Sequence, residues 1–343
     1  MMQNKLKPGK LLNDLGVLIE SGYHTEHVKT YNRNAINAPK IRIKEWDYFY
    51  CQGPDFGLAL TIADNGYLGL LSVSYIDFKT KHYVTKSHII PMSLGKLNLP
   101  ETPMLGRIDI HKKNTRFTFD YNGNSRHLYV KFPKFQNNLP IEIDVYLTEE
   151  PKESMVIVVP FKEKPTQFYY NQKIPGFKVN GQIIINNAVK RFDAKSLGLL
   201  DWGRGVWPYK NQWFWSMAQG YQNGKHIAFN LGYGFGDNST ATENMIFYDG
   251  KAHKTNDITF HIKEDDKGNK RYLEPWQFTS SDQRIELTMT PLIDRKDMIS
   301  VGVLQSKQHQ VFGLFNGQIV LDNNKTIIIK DMMGFAEDIQ NKW

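Results

Sequence analysis

Apolar and polar residues alternate with a period of two along most of this chain, and turn dipeptides separate the alternating runs. One run places Ile141, Ile143, Val145 and Leu147 on one face of a strand. Short runs of this kind, closely spaced by turns, are typical of an antiparallel sandwich or barrel. Long amphipathic helical repeats are absent from the sequence. We therefore predict an all-β fold.

Asn-Gly dipeptides mark three predicted hairpins. They occur at Asn65-Gly66, Asn122-Gly123 and Asn223-Gly224, each between two alternating runs. Asn-Gly favours the two-residue turn whose twist matches that of the flanking strands. A further hairpin is predicted over residues 311–330, with its turn at Asn323-Asn324.

The hairpin around Asn223-Gly224 has a register that its turn determines, because a two-residue loop leaves one pairing of the strands. Its first face sets large side chains opposite small ones. The second face, which includes Phe214 and Tyr233, is apolar as well, so we expect the hairpin to lie between two packed layers. The predicted pairs on the first face are Trp213 with Gly234, Trp215 with Gly232, Met217 with Asn230, and Gln219 with Ala228.

The length of the chain indicates more than one domain. Its 343 residues exceed the roughly 250 to 300 residues at which a single core stops growing. Breaker signals at Lys164-Pro165 and Pro175-Gly176 suggest a junction between residues 160 and 180. We predict an irregular N-terminal strap over 1–40, a first β-barrel domain over 41–170 and a second over 171–343.

The net charge of +8 suggests long-range attraction to anions. Lys and Arg are, however, interspersed with Asp and Glu, which is typical of a solvated surface, so no nucleic acid partner is predicted. Weak contact with a membrane surface stays open, whereas no stretch approaches the roughly 18 apolar residues of a membrane span. The single cysteine, Cys51, and an N-terminus without an apolar signal segment indicate the cytoplasm.

The central segment, residues 201–244, carries the candidate binding site. Glycines opposite tryptophans leave room for a ligand against the backbone, so the first face of the hairpin is interpreted as the wall of a cavity. The alternative, to which we give equal weight, is that large side chains simply pack against small ones in an ordinary core. The candidate ligand-binding residues are Trp202, Trp207, Tyr209, Trp213, Trp215, Met217, Asn230, Gly232, Gly234, Asp237, Glu243 and Asn244.

Asp201 and Arg204 are the candidate catalytic residues. Burial of Asp201 among tryptophans raises a carboxyl pKa and suits a general acid. A structural pair of Asp201 with Arg204, holding a loop over 200–209, is the favoured alternative. Asp237, Glu243 and Asn244 either converge on the mouth of the cavity or cap turns.

The motifs of the sequence predict neither a cofactor nor a metal. The sequence lacks a Gly-x-Ser-x-Gly elbow, a phosphate-binding loop and a His-Glu-x-x-His motif. The glycines at 232, 234 and 236 alternate without a surrounding βαβ pattern, which excludes a nucleotide-binding loop.

A family resemblance rests on five groups of residues spread over nearly the full length. With these residues the chain resembles a bacterial family of unknown function, domain-of-unknown-function family 2804. It is more distantly similar to two-barrel, lipocalin-like (calycin) proteins that include carotenoid hydratases and relatives of tocopherol cyclase. The residues are Lys44 to Tyr48, Phe168 to Asn171 with Val179-Asn180-Gly181, Leu200 to Gly203, Trp213 to Trp215, and Gly334 to Glu337.

The resemblance implies two antiparallel lipocalin-like barrels, or strongly curved sheets, packed side by side, and an apolar small molecule as ligand. Hydratase-like relatives usually carry a His after the Asp of the central loop, whereas this sequence has Trp202. Asp201 is therefore the one catalytic candidate that the resemblance carries over.

Three functions follow as hypotheses. The leading one is binding of a hydrophobic molecule, such as a lipid or isoprenoid, in a cavity lined by Trp and Gly. The second is a cofactor-independent hydratase, cyclase or isomerase with Asp201 as proton donor. The third is a structural or interaction protein in which the aromatic segment is only a seam between domains.

Overall fold

The computed structural model describes residues 3–123, 125–301 and 304–343. Its regular structure is β-strand apart from two single 3-10 turns at Arg33–Ala35 and Lys40–Arg42. The first fifteen strands are β1 Gly9–Lys10, β2 Gly22–His24, β3 Lys29–Thr30, β4 Ile43–Gln52, β5 Phe56–Asp64, β6 Leu68–Asp77, β7 His82–Pro91, β8 Leu105–Lys112, β9 Thr115–Asn122, β10 Arg126–Gln136, β11 Leu139–Thr148, β12 Met155–Pro160, β13 Phe168–Ile185, β14 Ala188–Arg191 and β15 Leu197–Val206. The remaining strands are β16 Lys210–Gln222, β17 Lys225–Tyr233, β18 Met245–Tyr248, β19 Lys251–Lys254, β20 Ile258–His261, β21 Trp276–Ser280, β22 Ile285–Val301, β23 Leu304–Val320 and β24 Thr326–Lys342.

Apart from β1 and β3, which pair in parallel as a small separate sheet, these strands form two large curled antiparallel sheets that pack together, which confirms the predicted fold class. The main path of the first sheet is β7-β6-β5-β4-β15-β13-β11-β10-β9-β8, and β2, β12 and β14 attach beside it. The path of the second sheet is β19-β18-β17-β16-β24-β23-β22-β21-β20. The chain passes from the first sheet to the second between Val206 and Lys210. The proposed junction between residues 170 and 171 falls inside β13, and the division into domains stays a prediction.

Strand β13 shows how the first sheet curls. Its residues 168–173 pair with β12 and its residues 178–185 with β11, while β15 pairs with its residues 168–178. The register shifts between Pro175 and Phe177, where Gly176 has a φ of 97°. A bulge with a left-handed glycine bends a strand. The bend brings the residues before Gly176 against the second sheet.

The central hairpin has the predicted register. Phe214 pairs with Tyr233, Trp215 with Gly232 and Met217 with Asn230. The turn residues Asn223 and Gly224 have φ angles of 51° and 75°, as a type I′ turn requires. The local sequence therefore predicted this element correctly.

The expectation that the hairpin lies between two layers is also confirmed. Ala218 and Phe229 belong to the core inside the second sheet. Trp215 and Met217 belong to a separate apolar cluster with Tyr50 from the first sheet. The first face of the hairpin, with its tryptophans and glycines, thus lies at the contact between the two sheets. We call this contact the seam.

The predicted loop over residues 200–209 is wrong for its first seven residues, because Leu197–Val206 is strand β15 and is buried along its length. Two glycines permit the close packing around it. A side chain at Gly203 would overlap the Trp46 ring, and one at Gly205 would overlap the carbonyl oxygen of Phe168. Glycine at these positions accommodates the approach of a neighbouring chain rather than a turn.

We expect Gly205→Ala to lower the free energy of unfolding by about 1–3 kcal/mol, the usual cost of overpacking a rigid site. Neither Gly205 nor Gly220 has a positive φ, and a Cβ at Gly220 meets only Met332 at 3.4 Å. Gly220→Ala is the matched control and should be tolerated. Urea unfolding of both variants measures the difference, and equal stabilities would contradict the packing argument.

Among the described residues, no helix has the length and apolar character needed to cross a bilayer.

Candidate functional site

Three neighbouring strands of the first sheet project polar and aromatic side chains into the seam. Asp201 of β15 pairs with Tyr48 of β4 on one side and with Lys173 of β13 on the other. Directly paired residues of an antiparallel sheet share a face. The Trp46 indole, two residues from Tyr48, hydrogen-bonds to Asp201. One carboxyl therefore lies among an ammonium and two aromatic rings.

The second sheet faces this group with β16 and β24. Trp215 pairs with Glu337, and the Trp213 indole donates a 3.0 Å hydrogen bond to Glu337 Oε2. The Trp215 indole donates a 2.7 Å hydrogen bond to Asn230 Oδ1. Trp215 also meets Tyr48 of the first sheet, with 6.2 Å between ring centroids. The indole N–H groups thus hold polar side chains of the second sheet at the seam.

Lys173 is the centre of a buried polar network across the seam. Its Nζ lies 3.0 Å from Glu243 Oε2 and 3.9 Å from Asp201 Oδ1. It also donates to Asn171 Oδ1 at 2.9 Å and to the Tyr169 hydroxyl at 3.1 Å. The residue is only 3% exposed. Burial alone lowers the pKa of an ammonium, but the charges of Asp201 and Glu243 outweigh it and raise the pKa of Lys173.

Asp201 and Glu337 are carboxyls with raised pKa on opposite sheets. Burial raises the pKa of Asp201, and this effect is opposed by the charge of Lys173 and by a 2.6 Å hydrogen bond from Asn171 Nδ2. Burial raises the pKa of Glu337 to about 7, against the hydrogen bond from Trp213. The negative charge of Asp201 raises the pKa of Glu337 further. Both groups therefore exchange protons closer to neutral pH than ordinary carboxyls do.

Several of these deep side chains retain accessible surface. Trp46, Tyr48 and Trp213 are partly exposed although they lie between the sheets. Asp201 keeps 7% and Glu337 6% of their full exposure. Water therefore reaches part of each of these five side chains, and we call this group at the seam the seam recess. These five residues define it.

A surface cleft with a volume of about 540 Å³ opens beside Trp213. Gln212, Gly234 and Asp237 line it together with residues 161–163. Asp237 there accepts a hydrogen bond from the Ser239 N–H and lies 3.8 Å from Lys162 Nζ, which fits the turn-capping alternative. The candidates Gly234 and Asp237 are therefore at the edge of the seam rather than in the recess.

The gap at Gly232 is filled by protein. A side chain added there would overlap the carboxylate of Glu243. The Gly232 N–H donates a 2.7 Å hydrogen bond to Asn244 Oδ1, and Asn244 Nδ2 donates to the Asn256 carbonyl. Our interpretation of this glycine as room for a ligand is corrected here: it makes room for Glu243. Asn244 fastens the strand end and Glu243 reaches Lys173.

Two other aromatic candidates lie away from the recess. Trp207 is buried in the apolar cluster with Phe235 and Trp46, with 5.4 Å between the Trp207 and Phe235 ring centroids. Tyr209 is 40% exposed on the surface. Met217 packs in the seam cluster beside Trp215. Trp207 therefore packs behind Trp46.

The expected pair of Asp201 with Arg204 is wrong. Side chains three positions apart in a strand point to opposite faces, and Arg204 points inside the first sheet. Its Nη1 lies 2.9 Å from Asp47 Oδ1, and its guanidinium carbon lies 4.2 Å from the centre of the Trp202 ring. Trp202 packs in the same interior against Tyr170, at 5.3 Å between centroids. Trp202 and Arg204 therefore lie on the far side of β15 from the recess.

Sequence reasoning did not assign Lys173, Tyr48, Trp46 or Glu337 to the site. A signal was present for three of them, because Trp46, Tyr48 and Glu337 belong to the quoted resemblance motifs. What the sequence-based reasoning lacked is the alternation of side chains between the two faces of β15. Once β15 is recognised as a strand, Asp201 shares a face with whatever pairs with it, but its partners Tyr48 and Lys173 follow only from the sheet order.

Comparisons with known proteins agree with this architecture. A candidate AttH from Nitrosomonas europaea matches with a TM-score of 0.56 at 12% identity, over 90% of this chain and 95% of that one. Kievitone hydratase from Nectria haematococca matches with a TM-score of 0.52 at 13% identity, over 93% and 97%. CghA, solved with Sch210972, matches with a TM-score of 0.52 at 10% identity, over 88% of both chains. At these identities the likeness concerns the fold.

A search of curated proteins found no match. The model of one family, described as domain of unknown function DUF2804, matches residues 3–343. The predicted resemblance is thereby confirmed. This chain belongs to the DUF2804 family.

Proposed function

We propose that the seam recess binds an apolar small molecule, such as a lipid or isoprenoid, and that the protein transfers protons to and from it as a cofactor-independent hydratase, cyclase or isomerase. The observation that carries the proposal is the position of two carboxyls with raised pKa, Asp201 and Glu337, among the rings of Trp46, Tyr48 and Trp213. Apolar walls with a few polar groups are typical of small-molecule sites. Perturbed carboxyls are typical of acid–base catalysis.

The structural relatives support the same class of function. One is named a hydratase, and another was solved with the small molecule Sch210972. Both share the two-sheet architecture over most of their length. Because a fold supports many activities, this support is by analogy, and the reaction is argued from the carboxyls of this chain.

A second candidate, a purely structural seam, is favoured by the packing of Trp215 and Met217. Both are buried against Tyr50 and Phe335 in one apolar cluster that joins the sheets. Aromatic residues in such a contact stabilise it without any ligand. The two candidates differ in whether the recess takes up a neutral apolar molecule.

Binding is tested with N-phenyl-1-naphthylamine, a neutral fluorescent probe. We expect saturable binding, and at least a tenfold weaker affinity for Trp213→Ala, because that indole lines the recess and holds Glu337. Tyr146→Ala is the matched control, since Tyr146 is an aromatic residue that is 43% exposed on the outer surface. Absence of saturable binding, or equal losses in both variants, would favour the structural seam.

Turnover is tested by incubating the protein with an apolar extract of cells in D2O and following deuterium incorporation by mass spectrometry. We expect Asp201→Asn to retain the probe but to lose about 100-fold in incorporation, the lower range for a general acid–base group. Asp120→Asn is the control, because that carboxylate pairs with Arg107 on the surface. Unchanged incorporation in Asp201→Asn would reject the enzymatic part of the proposal.

A further inference from the structure

The two carboxyls of the seam recess differ in the partners that surround them. Glu337 accepts hydrogen bonds from two neutral donors, Trp213 Nε1 at 3.0 Å and Gln310 Nε2 at 2.7 Å. Gln310 Oε1 in turn accepts a 2.9 Å hydrogen bond from Arg295 Nε, which fixes the orientation of the Gln310 amide. In the described part of the chain, the ion pairs with Lys173 are made by Asp201 and Glu243, and no cation pairs with Glu337.

Asp201 has the environment of an ionised group. Lys173 Nζ is 3.9 Å away, and Asn171 Nδ2 donates at 2.6 Å. The same Asn171 accepts from Lys173 through its Oδ1, so its amide is held in the orientation that donates to Asp201. A nearby ammonium and an oriented donor favour the charged form of a carboxyl.

We infer that Glu337 is the proton donor of the seam recess and Asp201 its proton acceptor. The inference rests on the proposed function and assigns the roles within it. It changes the sequence-based expectation, in which Asp201 was the acid and Glu337 had no part in catalysis. Two carboxyls in unlike environments, one neutral and one charged, form the general arrangement of an acid–base pair.

The charged and titratable groups that face Glu337 agree with its role as the proton donor. Burial is the largest effect and raises the pKa of Glu337 to about 7, and the charge of Asp201 on β15 adds to it. Arg295 on β22 opposes the increase. Tyr48 on β4 also faces Glu337, and burial raises its pKa, so it stays neutral. Burial also raises the pKa of Asp201, and the charge of Lys173 opposes that increase.

In these roles the two carboxyls can catalyse the addition of water to a carbon–carbon double bond. Glu337 donates its proton to one carbon while water attacks the other, and Asp201 takes the proton that the water loses. A C–H and a C–O bond form, the π bond breaks, and no electrons leave the substrate. Return of the proton from Asp201 to Glu337 through water in the recess restores both groups. Dehydration is the reverse of the same steps.

Infrared difference spectroscopy of the ligand-free protein tests the assignment. Between pH 5 and pH 8.5 we expect a C=O stretching band of a protonated carboxyl that disappears with a midpoint near the pKa of about 7 given for Glu337. The band should be missing in Glu337→Gln and present in Asp201→Asn. Loss of the band in Asp201→Asn alone, or absence of such a band in the unmodified protein, would overturn the inference.

A second variant keeps the test decisive if Glu337→Gln does not fold. Trp213→Phe keeps an aromatic ring but removes the N–H donor that lowers the pKa of Glu337. The midpoint of the band should therefore move to higher pH, and an unchanged midpoint would overturn the assignment. Because no ligand is present, this result is independent of the turnover experiment. If Asp201→Asn leaves deuterium incorporation unchanged, the proposed function fails even where the infrared titration follows Glu337.

The unfolding free energy supplies a further readout. The native pKa of Glu337 is raised to about 7 from its usual 4.5, so the native state binds more protons between these values and loses stability as pH rises through them. The unmodified protein should therefore lose stability relative to Glu337→Gln over this window. A difference that stays constant from pH 4.5 to 7 would contradict the protonated state of Glu337.

Discussion

Lys173→Met is expected to lower the free energy of unfolding by about 3–5 kcal/mol, the usual cost of removing one partner from a buried ion pair. Lys173 is 3% exposed and lies between Glu243 at 3.0 Å and Asp201 at 3.9 Å. Methionine fills a similar volume but leaves both carboxyls without their cation. Uncompensated charge in a buried site is the dominant cost, and packing is nearly unchanged.

Chemical denaturation of Lys173→Met measures this loss, with Lys225→Met as the control. Lys225 pairs with Asp249 at 2.6 Å, and both side chains are 50% exposed, so its replacement should leave the unfolding midpoint unchanged. Adding Glu243→Gln to Lys173→Met should recover part of the stability, because the two residues are directly coupled. A midpoint for Lys173→Met equal to that of the control would show that the seam network contributes no net stability.

Arg204→Met is expected to lower the free energy of unfolding by a similar amount, about 3–5 kcal/mol. Arg204 belongs to a charged cluster on the other side of β15. Arg204 is fully buried, with Asp47 Oδ1 at 2.9 Å and Glu45 Oε1 at 3.9 Å from its guanidinium nitrogens. Burial alone would lower the pKa of Arg204, but these carboxylates outweigh it and raise that pKa. Removal of the guanidinium leaves the buried Asp47 carboxylate without its cation, whereas Glu45 keeps its ion pair with Arg33.

Arg204→Met also separates stability from binding. Because Arg204 lies inside the first sheet, folded Arg204→Met should bind N-phenyl-1-naphthylamine as the unmodified protein does. Arg107→Met is the control for charge, since Arg107 is 53% exposed and its pairs are on the surface. Weakened probe binding by Arg204→Met at a temperature where it is folded would place Arg204 in the binding site and contradict the two-sided description of β15.

The predictions of local structure were confirmed where turn residues and the alternation of apolar positions determine the backbone. The Asn223-Gly224 turn needs residues that tolerate positive φ, and the flanking alternation leaves one register, so Trp215 opposite Gly232 could be read directly from the sequence. The burial of both hairpin faces followed from their apolar composition. The segment around Asp201 was misjudged as a loop because its glycines resemble turn signals, whereas they accommodate Trp46 and a neighbouring carbonyl.

By itself the sequence determined the all-β class, the hairpins, the register of the central hairpin and the family, because these depend on periodicity, turn chemistry and motifs a few residues long. Only the tertiary structure decided which partner each charged residue has. Asp201 meets Lys173 and not Arg204 because strand alternation sends neighbours to opposite faces, while β13, β4 and β24 arrive from distant parts of the chain. The seam recess exists for the same reason: its carboxyls, Asp201 and Glu337, are far apart along the chain and face each other only once two curled sheets pack together.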